Sequence, residues 1–201
     1  MQLAPSDLAK AAYVEYPNVD DNFDRATGLH QAAYHGNMNV LRYLLIERKA
    51  KVSLIDNSGY TPLHFACMGG HVDAADLLLA HGADISIIND VGFNALHTAS
   101  MEGYVDVVRL LIRYGARVHE LTRNPPIGDQ ILAGTDDEQN TALALAVEDG
   151  HLEVVGVLEE AIIDLQKLTA FAMAHHLRLG EKSIAKALDP EVLRIILTNV
   201  Q

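Results

Sequence analysis

The 201 residues are 49% hydrophobic with no tryptophan and six prolines, enough apolar material for a packed core and too much for wholesale disorder. A formal net charge of −12 opposes binding to nucleic acid or to an anionic membrane, both of which reward basic surface. No apolar run approaches the about 18 residues of a spanning helix, and Met1-Gln2-Leu3-Ala4-Pro5-Ser6-Asp7 has neither the basic start nor the apolar stretch of a secretory signal.

Residues 5–16 read as a short helix with Leu8, Ala11 and Ala12 on one side. Pro17-Asn18-Val19-Asp20 follows it as a turn. From Asn22 a pattern begins: Thr27-Gly28-Leu29-His30-Gln31-Ala32-Ala33-Tyr34-His35-Gly36, then Val40-Leu41-Arg42-Tyr43-Leu44-Leu45. It returns as Gly59-Tyr60-Thr61-Pro62-Leu63-His64-Phe65-Ala66-Cys67-Met68-Gly69-Gly70-His71, and 33 residues later as Gly92-Phe93-Asn94-Ala95-Leu96-His97-Thr98-Ala99-Ser100-Met101-Glu102-Gly103. The letters have physical meaning. Thr61 can cap a helix, and Pro62 behind it has no N–H to leave unpaired. Leu63, Ala66 and Cys67 share one face, where small residues admit a second helix. Gly70 turns the chain, Ala74, Leu77 and Leu78 face inward from the second helix, and Gly82 ends it. Each helix, roughly ten residues, is shorter than the 12–15 that are marginal alone in water, so neighbouring units must hold it.

The spacing also shows where the pattern fails. Gly36 to Gly70 is 34 residues but Ala50 to Ala83 is 33, so one extra residue lies between 36 and 50, predicted at the end of the second helix. Arg25, Gly28 and Lys49 replace the finger glycine, the proline and the helix-ending glycine there. Asn94-Ala95 replaces Thr-Pro in the third copy, and asparagine still caps a helix. Asn94 to Thr141 is 47 residues, an excess of 14 that falls in Leu121 to Gln139, where Asn124-Pro125-Pro126 and Gly134-Thr135-Asp136-Asp137-Glu138 mark a loop. The fourth copy, Thr141 to Leu158, has Ala144 in place of histidine, and its second helix is expected to reach about Ile163. Leu165, Leu168, Ala172, His175 and Leu179 then predict an amphipathic helix ended by Gly180. Asp189-Pro190-Glu191 opens a final one bearing Val192, Ile195 and Ile196.

A 33-residue period carrying T-P-L-H-x-A resembles the ankyrin-repeat family. The resemblance implies an all-α ankyrin-repeat solenoid, each repeat a helix-turn-helix with a β-hairpin finger, closed by helical caps. The expected organisation is an N-terminal capping half-repeat at 1–21, four repeats at 22–55, 56–88, 89–121 and 140–163, an insert loop at 122–139, and a C-terminal helical cap at 164–201. The single cysteine, Cys67, cannot form an internal disulfide and is expected to be a packed thiol in a reducing, intracellular compartment, cytoplasmic or nuclear. Such an array needs no second copy to fold, so a monomer is expected.

Function implied this way is protein–protein recognition, because repeat arrays are scaffolds onto which sites are grafted. The repeat explains His30, His64 and His97 as ring hydrogen-bonding residues, and His71 and His151 as residues after turn glycines. Histidines one period apart do not converge, so no metal site is expected. No Gly-rich phosphate loop, nucleophile motif or His-Glu-x-x-His is present, so neither catalysis nor a cofactor is expected. Ala187-Leu188-Asp189-Pro190-Glu191-Val192 comes near the elongin-docking box with which some ankyrin proteins end, but Val192 is too large for its place. An adaptor docking through residues 164–201 is the first alternative, and an enzyme with the insert as a lid the second. The main expectation is a concave groove lined by finger tips and first helices: Asp56, Asn57, Ser58 and Tyr60; Asn89, Asp90, Val91 and Phe93; and Tyr34, His35, Met68, Met101, Glu102, Glu148 and Asp149. Tyr60 and Phe93 should form an aromatic ladder, and Met68 and Met101 a parallel one. With acidic neighbours, the groove suits an extended or helical peptide with a basic segment.

Overall fold

A computed structural model describes residues 28–122 and 141–179, with side chains as far as residue 169. The expected half-repeat at 1–21, nearly all of the insert, and the segment containing Val192, Ile195 and Ile196 lie outside the described residues. The chain divides into two compact units, residues 1–158 and 159–201.

The described residues are all-α. Four short inner helices, α1 (Gly28–Tyr34), α3 (Pro62–Met68), α5 (Ala95–Met101) and α7 (Ala142–Glu148), alternate with outer helices α2 (Met38–Arg42), α4 (Val72–Ala80), α6 (Val105–Arg113) and α8 (Leu152–Leu179). Inner helices pack consecutively, α1 on α3, α3 on α5 and α5 on α7, and α4 packs on both α2 and α6. α5 thus meets α7 across the 14-residue excess, and the insert leaves the stack uninterrupted. At its base Leu121 and Thr141 pair as an isolated antiparallel bridge.

The core is what the period predicts. Leu29, Leu63 and Leu96 from the inner helices, and Leu41, Leu78 and Leu111 from the outer ones, are buried, each stabilising the fold by about 1.5–3 kcal/mol. Ala32, Ala33, Ala66 and Ala99 are wholly buried with Cys67, where a larger side chain would hold the helices apart. Burial pushes the Cys67 thiol far above its usual range, so it stays protonated and inert.

Two devices join successive repeats. The first is histidine. In α3, Thr61 Oγ1 accepts from the His64 backbone N–H, and His64 Nδ1 accepts from the Thr61 N–H at 3.1 Å. The other ring nitrogen donates to the Phe93 carbonyl of the next finger at 3.0 Å. His97 repeats this with Asn94 and the Glu120 carbonyl, and His30 reaches the carbonyls of Leu54 and Tyr60. At Thr141 the hydroxyl caps Ala144, but no ring follows. The loss is consistent with what comes next: α8 runs to Leu179, so among the described residues no finger follows this repeat to be held.

The second device is a ring laid on a glycine. His71, Tyr104 and His151 follow the turns of their own repeats and cover Gly36, Gly70 and Gly103 of the repeats before. A Cβ on Gly70 would sit 2.5 Å from the Tyr104 ring, so the position demands glycine for space as well as for its φ of +69°. His151 also donates to the Met101 carbonyl at 2.8 Å.

The extra residue predicted between 36 and 50 is absorbed by a π-helical turn, Tyr43–Glu47, at the end of α2. Arg48 N–H reaches back five residues to the Tyr43 carbonyl at 3.1 Å. α8 shows a different departure. The sequence suggests one helix ending near Ile163 and another ending at Gly180, yet a single helix spans Leu152–Leu179. Glu159-Glu160-Ala161-Ile162-Ile163-Asp164-Leu165 contains neither glycine nor proline, and nothing in it interrupts helical hydrogen bonding. In the second unit Lys167 pairs with Asp164 at 3.0 Å on an exposed face.

Candidate partner-binding surface

The fingers are turns built by one side chain each. Asp56 Oδ1 accepts from the N–H groups of Ser58 and Tyr60 at 2.9 and 2.8 Å, and the Asp56 N–H donates to the Tyr60 carbonyl. Asn89 does the same for Val91 and Phe93. Adjacent fingers are tied where Asp90 N–H meets the Ser58 carbonyl at 2.9 Å. Backbone geometry therefore fixes where Tyr60 and Phe93 emerge. Asn89 itself, expected on the binding surface, is only 2% exposed and serves the turn instead.

The other candidates reach solvent. Tyr34, His35, Asn57, Asp90, Glu102, Glu148 and Asp149 are exposed, and Tyr60, Met68, Phe93 and Met101 are half-buried. The expected ladder of Tyr60 and Phe93 is absent, since the two rings pack on different partners. Phe93 stacks on His97 of its own repeat at 6.0 Å. Tyr60 meets Phe65 at 6.0 Å and His64 at 5.7 Å, both edge-on. Phe65 also meets His30 at 5.3 Å and Tyr34 at 6.4 Å. The half-buried Phe65 is thus the centre of an aromatic cluster between the first and second repeats, with Tyr34 43% exposed beside it.

Sequence reasoning passed over Phe65 because it fills the variable place in T-P-L-H-x-A. The signal was its neighbours: Tyr34 ends the equivalent helix one repeat earlier, and Tyr60 precedes the cap. Thr98 holds the place of Phe65 in α5, where its hydroxyl donates back to the Asn94 carbonyl, so the cluster does not continue.

Charge is sorted across the array. Helices α1, α3, α5 and α7 and the fingers at 54–60 and 87–93 contain no lysine or arginine. Through residue 122 the described basic residues are Arg42, Arg48, Lys49, Lys51, Arg109, Arg113 and Arg117, all on the outer helices or just beyond their ends. The finger side instead carries Asp56, Asp90, Glu102, Glu148 and Asp149. Burial, and after it the carboxylates of Asp56 and Asp90, raise the Tyr60 phenol above its ordinary pKa, so the ring remains a neutral donor. Among the described residues no three histidine, cysteine or acidic side chains gather to hold a metal ion, and no helix is long and apolar enough to cross a membrane.

A profile of the ankyrin repeat, three copies long, matches residues 4–89, 29–122 and 87–169. Osteoclast-stimulating factor 1 of Xenopus laevis is 46% identical over 52 residues, which are 26% of this chain and 24% of that protein. Delta-latroinsectotoxin-Lt1a of Latrodectus tredecimguttatus is 35% identical over 66 residues, 32% of this chain and 5% of the toxin. Glycerophosphocholine phosphodiesterase GDE1 of Candida albicans is 38% identical over 61 residues, 30% of this chain and 5% of the enzyme. The chain spans a quarter or less of the length of these relatives. Proteins so differently named share segments with it, so the similarity follows the repeat unit rather than any one activity.

Proposed function

This chain belongs to the ankyrin-repeat family, whose repeats are protein-interaction modules, and from that premise we propose that it is a non-catalytic adaptor or regulatory subunit that binds a protein or peptide through its finger side. The surface comprises Tyr34, His35, Asn57, Tyr60, Met68, Asp90, Phe93, Met101, Glu102, Glu148 and Asp149. The observation that carries this reading is the sorting of charge: a face with aromatic and methionine side chains, several carboxylates and, among the described residues, no lysine or arginine suits a partner with a basic segment. In this reading the module acts inside the cell, as a monomer and without a cofactor.

The test is capture from cell extract on the whole chain, beside a Tyr60→Ala, Phe93→Ala, Glu102→Lys triple variant with unchanged helical circular dichroism. The partner is expected to be held by the wild type and lost by the folded variant. Equal retention by both would move the site off the finger side and overturn the reading.

A further inference from the structure

The finger side is uneven: among the described residues, a cluster of several rings on this side forms only at the step between the first and second repeats. Phe65 joins Tyr34 of the first repeat to Tyr60 of the second, with edge-on ring pairs at 6.4 and 6.0 Å. In the next repeat the place of Phe65 belongs to Thr98 and that of Tyr34 to Met68, so the same step further along has no such cluster.

Two carboxylates stand at this step. Asp56 is bound to the Tyr60 N–H through Oδ1 at 2.8 Å. Asp90 lies over the finger turn: a Cβ on Gly59, the residue before Tyr60, would sit 2.9 Å from its Oδ1. Asp90 is exposed, and no described residue is seen to bond its carboxylate. Half-exposed aromatic rings attract a cation through their faces, and anions at their margin strengthen the attraction. The fingers at 54–60 and 87–93 and the inner helices supply no lysine or arginine of their own for the place.

We infer that Tyr34, Tyr60 and Phe65, flanked by Asp56 and Asp90, form the subsite for a single arginine or lysine side chain of the partner. The inference rests on the finger-side reading above and narrows it. The aromatic rings hold the alkyl stem and the face of the cation, and the two carboxylates receive its N–H donors. The remaining finger-side residues contact the rest of the segment without this requirement for charge.

The test uses the full chain with carbon-13-labelled phenylalanine and tyrosine rings. It is titrated with a flexible glycine–serine peptide bearing one arginine, and separately with the same peptide bearing citrulline, its neutral isostere. The arginine peptide is expected to shift the Tyr34, Tyr60 and Phe65 ring signals and to bind about tenfold tighter than the citrulline peptide. Asp90→Asn, an exposed change that leaves the fold intact, should weaken the arginine response and leave the citrulline response alone. Absence of ring shifts up to about 10 mM peptide, or equal responses to both peptides, would overturn the inference. Failure here with the partner still lost by the triple variant leaves finger-side binding standing. Retention of the partner by that variant removes the finger-side reading itself, whatever the peptide does.

Discussion

In the second repeat the outer helix α4 stops within one turn. Gly82 N–H donates to the Leu79 carbonyl at 2.9 Å, and Ala83 N–H reaches back five residues to Leu78 at 3.0 Å. In the first repeat the same stop is one residue longer: the helix widens into the π turn Tyr43–Glu47, and Ala50 N–H reaches back six residues to Leu44 at 3.0 Å. Gly82 turns the chain at φ +83°, whereas Lys49 does so at +51° with a full side chain. The inner helices of the two repeats are nonetheless alike, with Leu29 and Leu63, and His30 and His64, buried in matching places. The difference teaches where a stacked array has slack. Register is set by inner helices that touch on both sides, and an extra residue is accommodated on the outer row, where Ile46 is already exposed.

If the inner row is common to both repeats, acid should loosen them together, and this is the largest effect expected. Burial lowers the pKa of His64 to about 4, and burial lowers that of His30 too. A neutral ring is needed, since Nδ1 of His64 accepts from Thr61 while the other nitrogen donates to Phe93. Unfolded histidine titrates near 6.5, so between that pH and about 4 the unfolded chain binds more protons and is favoured. The contribution of His64 is complete above about pH 6.5 and falls as pH drops, by roughly 3 kcal/mol near pH 4. Urea midpoints measured from neutral to acid pH should show this decline. In His64→Gln the chain should be weaker at neutral pH and the decline shallower, with the His30 contribution remaining. A variant that keeps the full slope would show that other groups govern the acid response.

The next effect separates two glycines with almost the same backbone. Gly70 has φ +69° and Gly82 +83°, so alanine at either site meets the same left-handed strain of about 1 kcal/mol. Only Gly70 lies under a ring, that of Tyr104. A Cβ on Gly82 would meet nothing within 4 Å. Gly82→Ala should therefore cost about 1 kcal/mol, and Gly70→Ala about 2–3 kcal/mol, because the ring from the third repeat must move. A double-mutant cycle with Tyr104→Ala tests the cause. The excess at Gly70 should vanish when Tyr104 is gone, and if it persists the ring is not its source.

Much of this was legible in the letters. The cap at Thr61, the turn at Gly70, the small face of Ala66 and Cys67 and the extra residue before Ala50 follow from local chemistry and spacing. So does the nearness of Tyr60 to the surface, since Asp56 and Gly59 announce its turn. What could not be read was which rings meet. Tyr60 and Phe93 are equivalent by count, but equivalent positions lie a whole repeat apart, and a side chain there turns to whatever fills the gap. In the second repeat Phe65 fills it, whereas in the third Thr98 leaves Phe93 to its own histidine. The burial of Asn89 was missed for a related reason: a finger asparagine looks solvated until its oxygen is needed by two backbone N–H groups.

The smallest effect bears directly on the two helix ends. A lysine in the left-handed region costs about 1 kcal/mol relative to glycine, and with slack confined to the outer row this strain is local to the first repeat. Lys49→Gly should stabilise the chain by about 1 kcal/mol, read as a higher urea midpoint with an unchanged slope. The matching reversal, Gly82→Lys, should destabilise the second repeat by a similar amount. Two further readouts keep the result specific. Exchange of the Ala50 amide, which donates to Leu44, should slow in Lys49→Gly, because relieving the turn strengthens the helix end that this bond closes. Exchange at Ala83, the corresponding amide one repeat on, should change only as much as global stability does. If Lys49→Gly gave no gain while Gly82→Lys cost its full amount, the π turn would be supplying the first repeat with a stop that fits lysine without strain, and the slack on the outer row would reach through the turn as well as the helix.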